Sequence, residues 1–244
     1  MTWDRIARRS AAAGLALAGL AVASAALADT IVVRASGPSA KSYPPGRKLA
    51  ESGAVALQPG DVVTLLDAKG TRTLRGPGNF TVAAASAAPA GGVALSALLD
   101  TKRVRRARTG AVRGSIGEPV APRRPNLWLA DVATAGPLCV ADAANLKLWR
   151  GDTAKPATVR IEGEGAHATA TFAPGESMAA WPAALPVRDG ATYRINGAEI
   201  RLALVDAGTA GMDNVASTLI AHGCTAQLDL LVDTAAHSEA AAKD

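Results

Sequence analysis

The chain has 244 residues, of which 49% are hydrophobic, 19% charged and 3% aromatic, and its formal net charge is +5. That length suffices for one or two domains with a sizeable core, and recurring Val, Leu and Ile runs exclude a disordered polypeptide. Only one apolar stretch approaches membrane-spanning length, which excludes a multi-span membrane protein, and two Cys with three His exclude a Cys-rich zinc module or a disulfide-dense miniprotein.

Residues 1–28 read as an export signal. Arg5, Arg8 and Arg9 form a basic start, Ala11 to Leu27 supply an apolar run of Ala, Leu, Val and Gly, and Ala26-Leu27-Ala28 is the small-x-small pattern of a signal peptidase site. The expectation is a Sec-type route to the periplasm with cleavage after Ala28. The rival reading, an uncleaved inner-membrane anchor, asks an Ala- and Gly-rich run to cross ~30 Å of hydrocarbon. Cleavage leaves 23 basic against 20 acidic residues.

Residues 29–82 read as a small β module. Ile31-Val32-Val33 is a β-branched run, and Ala54 to Leu57 leads into the turn Gln58-Pro59-Gly60-Asp61. Val62 to Leu66, the turn Asp67-Ala68-Lys69-Gly70, the alternating Thr71 to Arg75, the turn Gly76-Pro77-Gly78-Asn79 and Phe80-Thr81-Val82 complete the pattern. Strands of about five residues between Gly/Pro turns predict a small sandwich or barrel-like unit. Within residues 54–82, the run Leu57–Val82 resembles the FecR-type β domain of bacterial envelope proteins: Gly60-Asp61-x-Val63 matches its opening strand, and a hairpin and a Gly-led closing strand follow. Ala68-Lys69-Gly70 departs from that family's usual Asp-Gly-Ser hairpin. The resemblance implies a non-enzymatic sensing or envelope-associated module.

Residues 83–125 read as a linker. Residues 83–92 are Ala, Ser, Pro and Gly, and Val93 to Leu99 predicts a short amphipathic helix. Lys102, Arg103, Arg105, Arg106, Arg108, Arg113, Arg123 and Arg124 then face only Asp100 and Glu118 between residues 100 and 125. Arg103, Arg105, Arg106 and Arg108 lead this cluster as candidate contacts to an anionic surface, a phospholipid layer or a polyanionic envelope polymer; the opposing reading is a solvated linker, or arginines that pair with the folded blocks. An exported location argues against nucleic acid.

Residues 126–235 predict a second β-sandwich-like module. Its strand candidates are Leu127 to Leu129, Leu138 to Val140, Leu146 to Trp149, Ala157 to Ile161, Ala166 to Phe172, Tyr193 to Ile195 and Ile200 to Val205. From Met212 the period changes: Val215, Leu219 and Ile220, then Leu228, Leu231 and Val232, recur at helical spacing. Gly211 or Asp213 caps the first helix and Gly223 ends it. Residues 236–244 read as a flexible tail. The fold class is therefore mainly β, a FecR-like module plus a β-sandwich-like module with a short C-terminal helical hairpin.

Each group that could carry chemistry has a plainer structural role. Gly175-Glu176-Ser177-Met178-Ala179 approximates a nucleophile elbow, but Pro182 sits where the following helix would run. A periplasmic serine hydrolase using Ser177 with His167 or His222 is thus the alternative to a non-catalytic binding or sensing module. His222-Gly223-Cys224 lacks the further ligands of a metal site. With no other Cys in the chain, Cys139 and Cys224 are expected to form a disulfide in an oxidising compartment. Trp128, Trp149 and Trp181 have strand-like apolar neighbours and are expected in the core. Gly163-Glu164-Gly165 lacks the rest of a dinucleotide fingerprint and no phosphate-binding loop occurs, so no cofactor is expected.

Overall fold

A computed structural model describes residues 30–67, 70–83, 96, 98–100, 124–206 and 211–241. The protein is mainly β, with two helices near its C-terminal end. Strands β1 (Thr30–Ser36), β2 (Lys48–Leu49), β4 (Val62–Asp67) and β5 (Gly70–Arg75) form an antiparallel sheet in the order β2-β1-β4-β5. Strands β3 (Ala54–Leu57) and β6 (Gly78–Thr81) pair separately. The turn residues act as the sequence predicts: Gly70 N–H donates to Asp67 Oδ1 at 3.1 Å and closes the β4–β5 hairpin. At Gly76 a Cβ would lie 2.0 Å from the Gln58 carbonyl oxygen, so only glycine allows these chain segments to approach.

The four-stranded sheet is apolar on both faces, which explains the unbroken run Ile31-Val32-Val33. Val32, Val63, Leu65 and Leu74 meet Val55, Leu57 and Val82 in one core. Ile31, Val33 and Leu66 point the other way and pack against the helices.

In the second module, a five-stranded sheet runs in the order β11-β10-β13-β14-β8. Its members are β8 (Gly136–Val140), β10 (Ala157–Gly163), β11 (Ala166–Phe172), β13 (Thr192–Ile195) and β14 (Ala198–Leu204). Neighbours are antiparallel except β14 and β8, which are parallel. A three-stranded sheet of β7 (Ala130–Asp131), β9 (Lys147–Trp149) and β12 (Met178–Ala180) lies in the order β12-β9-β7. Leu138, Val140, Leu148, Val159, Ile161 and Ile195 belong to their shared core. His167, Thr169 and Thr171 lie exposed on one face of β11, as the alternation predicts.

Leu127 to Leu129 is buried but is not a strand. Asn126 Oδ1 accepts the Trp128 N–H at 2.9 Å, and Leu127 N–H donates to the Leu98 carbonyl at 2.9 Å, so a side chain and a distant segment take the backbone bonds a strand would need. Asn126 Nδ2 also donates to the Asp100 carbonyl, and Leu98 is buried in the helix core.

Helix α1 (Met212–Ala221) starts at Gly211, and helix α2 (Thr225–Ala241) follows. Gly223 has φ +69° and terminates α1: its N–H donates to the Ile220 carbonyl and Cys224 N–H donates to the Leu219 carbonyl. This paired closure needs a left-handed residue, which glycine supplies at little cost. Helix α2 continues to Ala241, so the segment from residue 236, read as a tail, starts out helical; its Ala-rich composition favours that state. Among the described residues, no helix is long and apolar enough to cross a membrane.

The helix pair forms a layer touching both β modules. Met212, Val215, Leu219, Leu228, Leu231 and Val232 bury against Ile31, Val33 and Leu66 on one side and Cys139 on the other. Arg34 of β1 adds an exposed link, donating to Asp229 Oδ1 at 2.9 Å through Nε and to Asp233 Oδ1 at 3.1 Å. Pairs this exposed contribute no more than about 1 kcal/mol.

Candidate functional site: a trench beside the last helix

Cys139 and Cys224 form a disulfide, with Cα atoms 5.9 Å apart and both residues fully buried. Cys139 lies in β8 with its side chain on the outer face of the sheet, while Leu138 and Val140 point inward. The α1 terminus delivers Cys224 to it. Three residues further, on the same side of α2, buried Gln227 completes the attachment. Its Oε1 accepts the Cys139 N–H at 2.7 Å, and its Nε2 donates to the carbonyls of Cys139 and Leu127, each at 2.8 Å. The amide thus takes the hydrogen-bonding place of a further strand beside β8. Nothing in a period reading singles out Gln227; its spacing of three from Cys224 was the available signal.

Beside this attachment runs a trench made of two adjoining cavities, about 280 Å³ and 620 Å³, both lined by Asp131 and Trp149. The smaller reaches α2 at Asp229, Leu230 and Asp233; the larger is walled by the loop 151–154. Within that loop the Thr153 carbonyl accepts the Gly175 N–H at 2.8 Å, and Arg150 joins Lys155, just beyond it, to the turn between β11 and β12. Buried against the Phe172 ring, Arg150 donates to the carbonyls of Glu176, Lys155 and Ala173 at 2.9, 2.6 and 2.9 Å. A cation satisfied by carbonyl dipoles alone links these segments without using a carboxylate.

Arg124 lines the smaller cavity and is only 8% exposed. One terminal nitrogen donates to the Leu129 carbonyl at 3.1 Å, while its Nε is buried without an acceptor. Burial pushes this guanidinium below its ordinary pKa, and the charge of Asp131 offsets part of that. Arg124, the one basic residue of its cluster among the described residues, is enclosed by the fold and cannot dock on an external anionic surface. Asp131 uses one oxygen to accept the Ala133 N–H at 2.9 Å. Four trench carboxylates (Asp131, Asp152, Asp229 and Asp233) outnumber two guanidiniums, Arg124 and the Arg34 that bridges the helix aspartates.

The structure does not join Ser177 to either histidine. Ser177 precedes β12 and its carbonyl accepts the Arg150 N–H, His167 lies exposed on β11 opposite Glu162, and His222 caps the end of α1. No hydrogen bond connects these three. The three tryptophans of the second module are all buried, Trp128 at 7%, Trp149 at 6% and Trp181 at 9% exposure. Arg103, Arg105, Arg106 and Arg108 lie outside the described residues. Among the described residues, no cluster of three or more His, Cys, Asp or Glu has the arrangement of a metal site.

A different buried polar group serves the first module. Asp61, of the Gly60-Asp61-x-Val63 motif, accepts the Ser39 N–H at 2.8 Å and the Gln58 N–H, and its own carbonyl accepts the Gly76 N–H. Burial raises its carboxyl pKa, but hydrogen bonds from Ser39 and Gln58 outweigh that and hold it below the usual range. The motif's Asp is thus a brace for three chain segments. No protein-family model, curated protein or solved structure matches the chain.

Proposed function

We propose that this is an exported, non-catalytic binding or sensing module of the bacterial cell envelope, released into the periplasm after cleavage at Ala28. The Cys139–Cys224 bridge carries the reading, because a buried structural disulfide needs an oxidising compartment to form and persist. The signal-like residues 1–28 supply a route to one. The FecR-like turn pattern of residues 54–82, with Asp61 bracing its turn, supports an envelope-associated role. The partner is an envelope protein or polymer, and the Arg-rich segment adds attraction to anionic lipid. The buried polar groups Gln227, Arg150 and Asp61 all bond to backbone, which suits a scaffold that presents a surface.

Expressing the whole chain in a Gram-negative host and sequencing the N-terminus of the osmotic-shock fraction tests this reading. Recovery there with Asp29 first is expected. An intact Met1 in the membrane fraction would support the anchored form, and retention in the cytoplasm would overturn export.

A further inference from the structure

We propose that the outer edge of β11 is an interface between two copies of this chain, which join antiparallel about a dyad at Thr169 into one continuous sheet. The edge follows from the β10–β11 hairpin. Its two-residue loop, Glu164-Gly165, has φ of 51° and 78°, so Gly163 and Ala166 are a hydrogen-bonded pair. Alternation then turns the main-chain groups of Ala166, Ala168, Ala170 and Phe172 toward β10, and those of His167, Thr169 and Thr171 outward. Among the described residues, no hydrogen bond from outside the hairpin reaches that outward row. The other strand edges are occupied or short. Gln227 takes the Cys139 main chain at β8, the Tyr43 hydroxyl accepts the Ala56 N–H and donates to its carbonyl at β3, and α2 lies against β5. Strands β2, β6, β7 and β12 have two to four residues each.

A seven-residue strand with an open edge is a template for another strand, and proteins that stay apart guard such edges with Lys, Pro or a bulge. Residues 166–172 contain no Lys or Pro, and their register with β10 is unbroken. The run Ala-His-Ala-Thr-Ala-Thr-Phe also suits its own reverse about Thr169. Thr169 then faces its own copy and His167 faces Thr171, so the outward row exchanges N–H and C=O groups along its length. On the core side Ala168 meets Ala170, and the large Phe172 meets the small Ala166. No like charges stand directly opposite, a clash that would oppose pairing. The nearest charged side chains of the exposed face, Arg160 and Glu162, lie one strand in and bond each other. A twofold pairing of this kind uses both edges and leaves none to propagate, which favours a dimer over a fibre. One strand pair is smaller than the ~1,200 Å² of a stable interface, so the contact is weak and fills only as concentration rises.

Sedimentation equilibrium of the purified oxidised chain at low and high concentration, with amide hydrogen exchange on the same samples, tests this. A monomer–dimer equilibrium is expected, with exchange at His167, Thr169 and Thr171 slowing about tenfold or more as the dimer forms. Thr169→Pro removes the N–H at the dyad without breaking a bond to β10, and Thr169→Lys sets two ammonium groups against each other. Each should weaken association about tenfold or more. Circular dichroism identifies a variant that does not fold, and the other variant and the exchange rates then decide. Thr192→Lys, the same change on the exposed face of β13, should leave association unchanged. A monomer at every concentration, assembly that grows beyond dimers, or a dimer indifferent to the Thr169 variants would each overturn the proposal. So would slow exchange at the three amides in a monomer, because another segment of the same chain then covers the edge. Export of the chain is measured separately, so failure here leaves that result standing.

Discussion

Truncating Gln227 to alanine removes a donor and an acceptor that serve three buried backbone groups, the N–H and carbonyl of Cys139 and the carbonyl of Leu127. Stranded groups cost more than a lost hydrogen bond, so the expected destabilisation is about 2–4 kcal/mol, measurable as a lowered urea midpoint. Gln227→Glu should fare no better, because a carboxylate cannot donate to the two carbonyls and buries a charge. Asp61 makes a different, pH-dependent prediction. Its carboxyl is held below the ordinary range, so its ionised form stabilises the fold at pH above the unfolded value of about 4. That contribution disappears as pH falls through the lower, folded value. Asp61→Asn should therefore lower the melting temperature at neutral pH and flatten its decline on acidification. An unchanged acid profile would show that Asp61 does not govern it.

Among the elements, those punctuated by local chemistry were readable in the sequence. Gly70, at the start of β5, and Gly223, at the end of α1, act through turn and cap geometry that depends on near neighbours, and β3 to β5, α1 and the start of α2 lie where the pattern put them. Strands β2, β7 and β12 have two or three residues each and exist because a distant strand pairs with them, which no local period records. The Leu127–Leu129 run failed for the same reason: its partners are Asn126 and residues 98–100. Arg124 reads as one more member of a basic cluster until the fold encloses it. Of the trench, the sequence shows Trp149 as a core residue but not the neighbours it meets there. The remaining Arg-rich segment makes its own prediction. Each basic residue near an anionic bilayer contributes at best about 1 kcal/mol. Changing Arg103, Arg105, Arg106 and Arg108 to Ser together should reduce sedimentation with anionic liposomes at low salt, and unchanged sedimentation would reject membrane docking.

At the scale of the whole molecule, the helix pair ties the two β modules together. One side covers Ile31, Val33 and Leu66, and the other is fixed to β8 by the disulfide and by Gln227. The bridge spans a sequence separation of 85 residues, for which the chain-entropy estimate is about 4–5 kcal/mol. Against a typical stability of about 5–15 kcal/mol, replacing both Cys139 and Cys224 with Ala should shift the denaturation midpoint markedly and expose apolar surface on both modules. The large sheets are then left with faces whose burial depends on α1 and α2.

The bridge also ties fold to location, so its redox state in the cell is the most direct test. Cells expressing the chain with and without residues 1–28 are quenched in acid, denatured, and treated with a maleimide large enough to shift the band on a gel. The leader-bearing chain should show no shift unless first reduced, and the leaderless chain, held in the reducing cytoplasm, should carry label on both Cys139 and Cys224. Free thiols on the folded, leader-bearing chain would contradict the account.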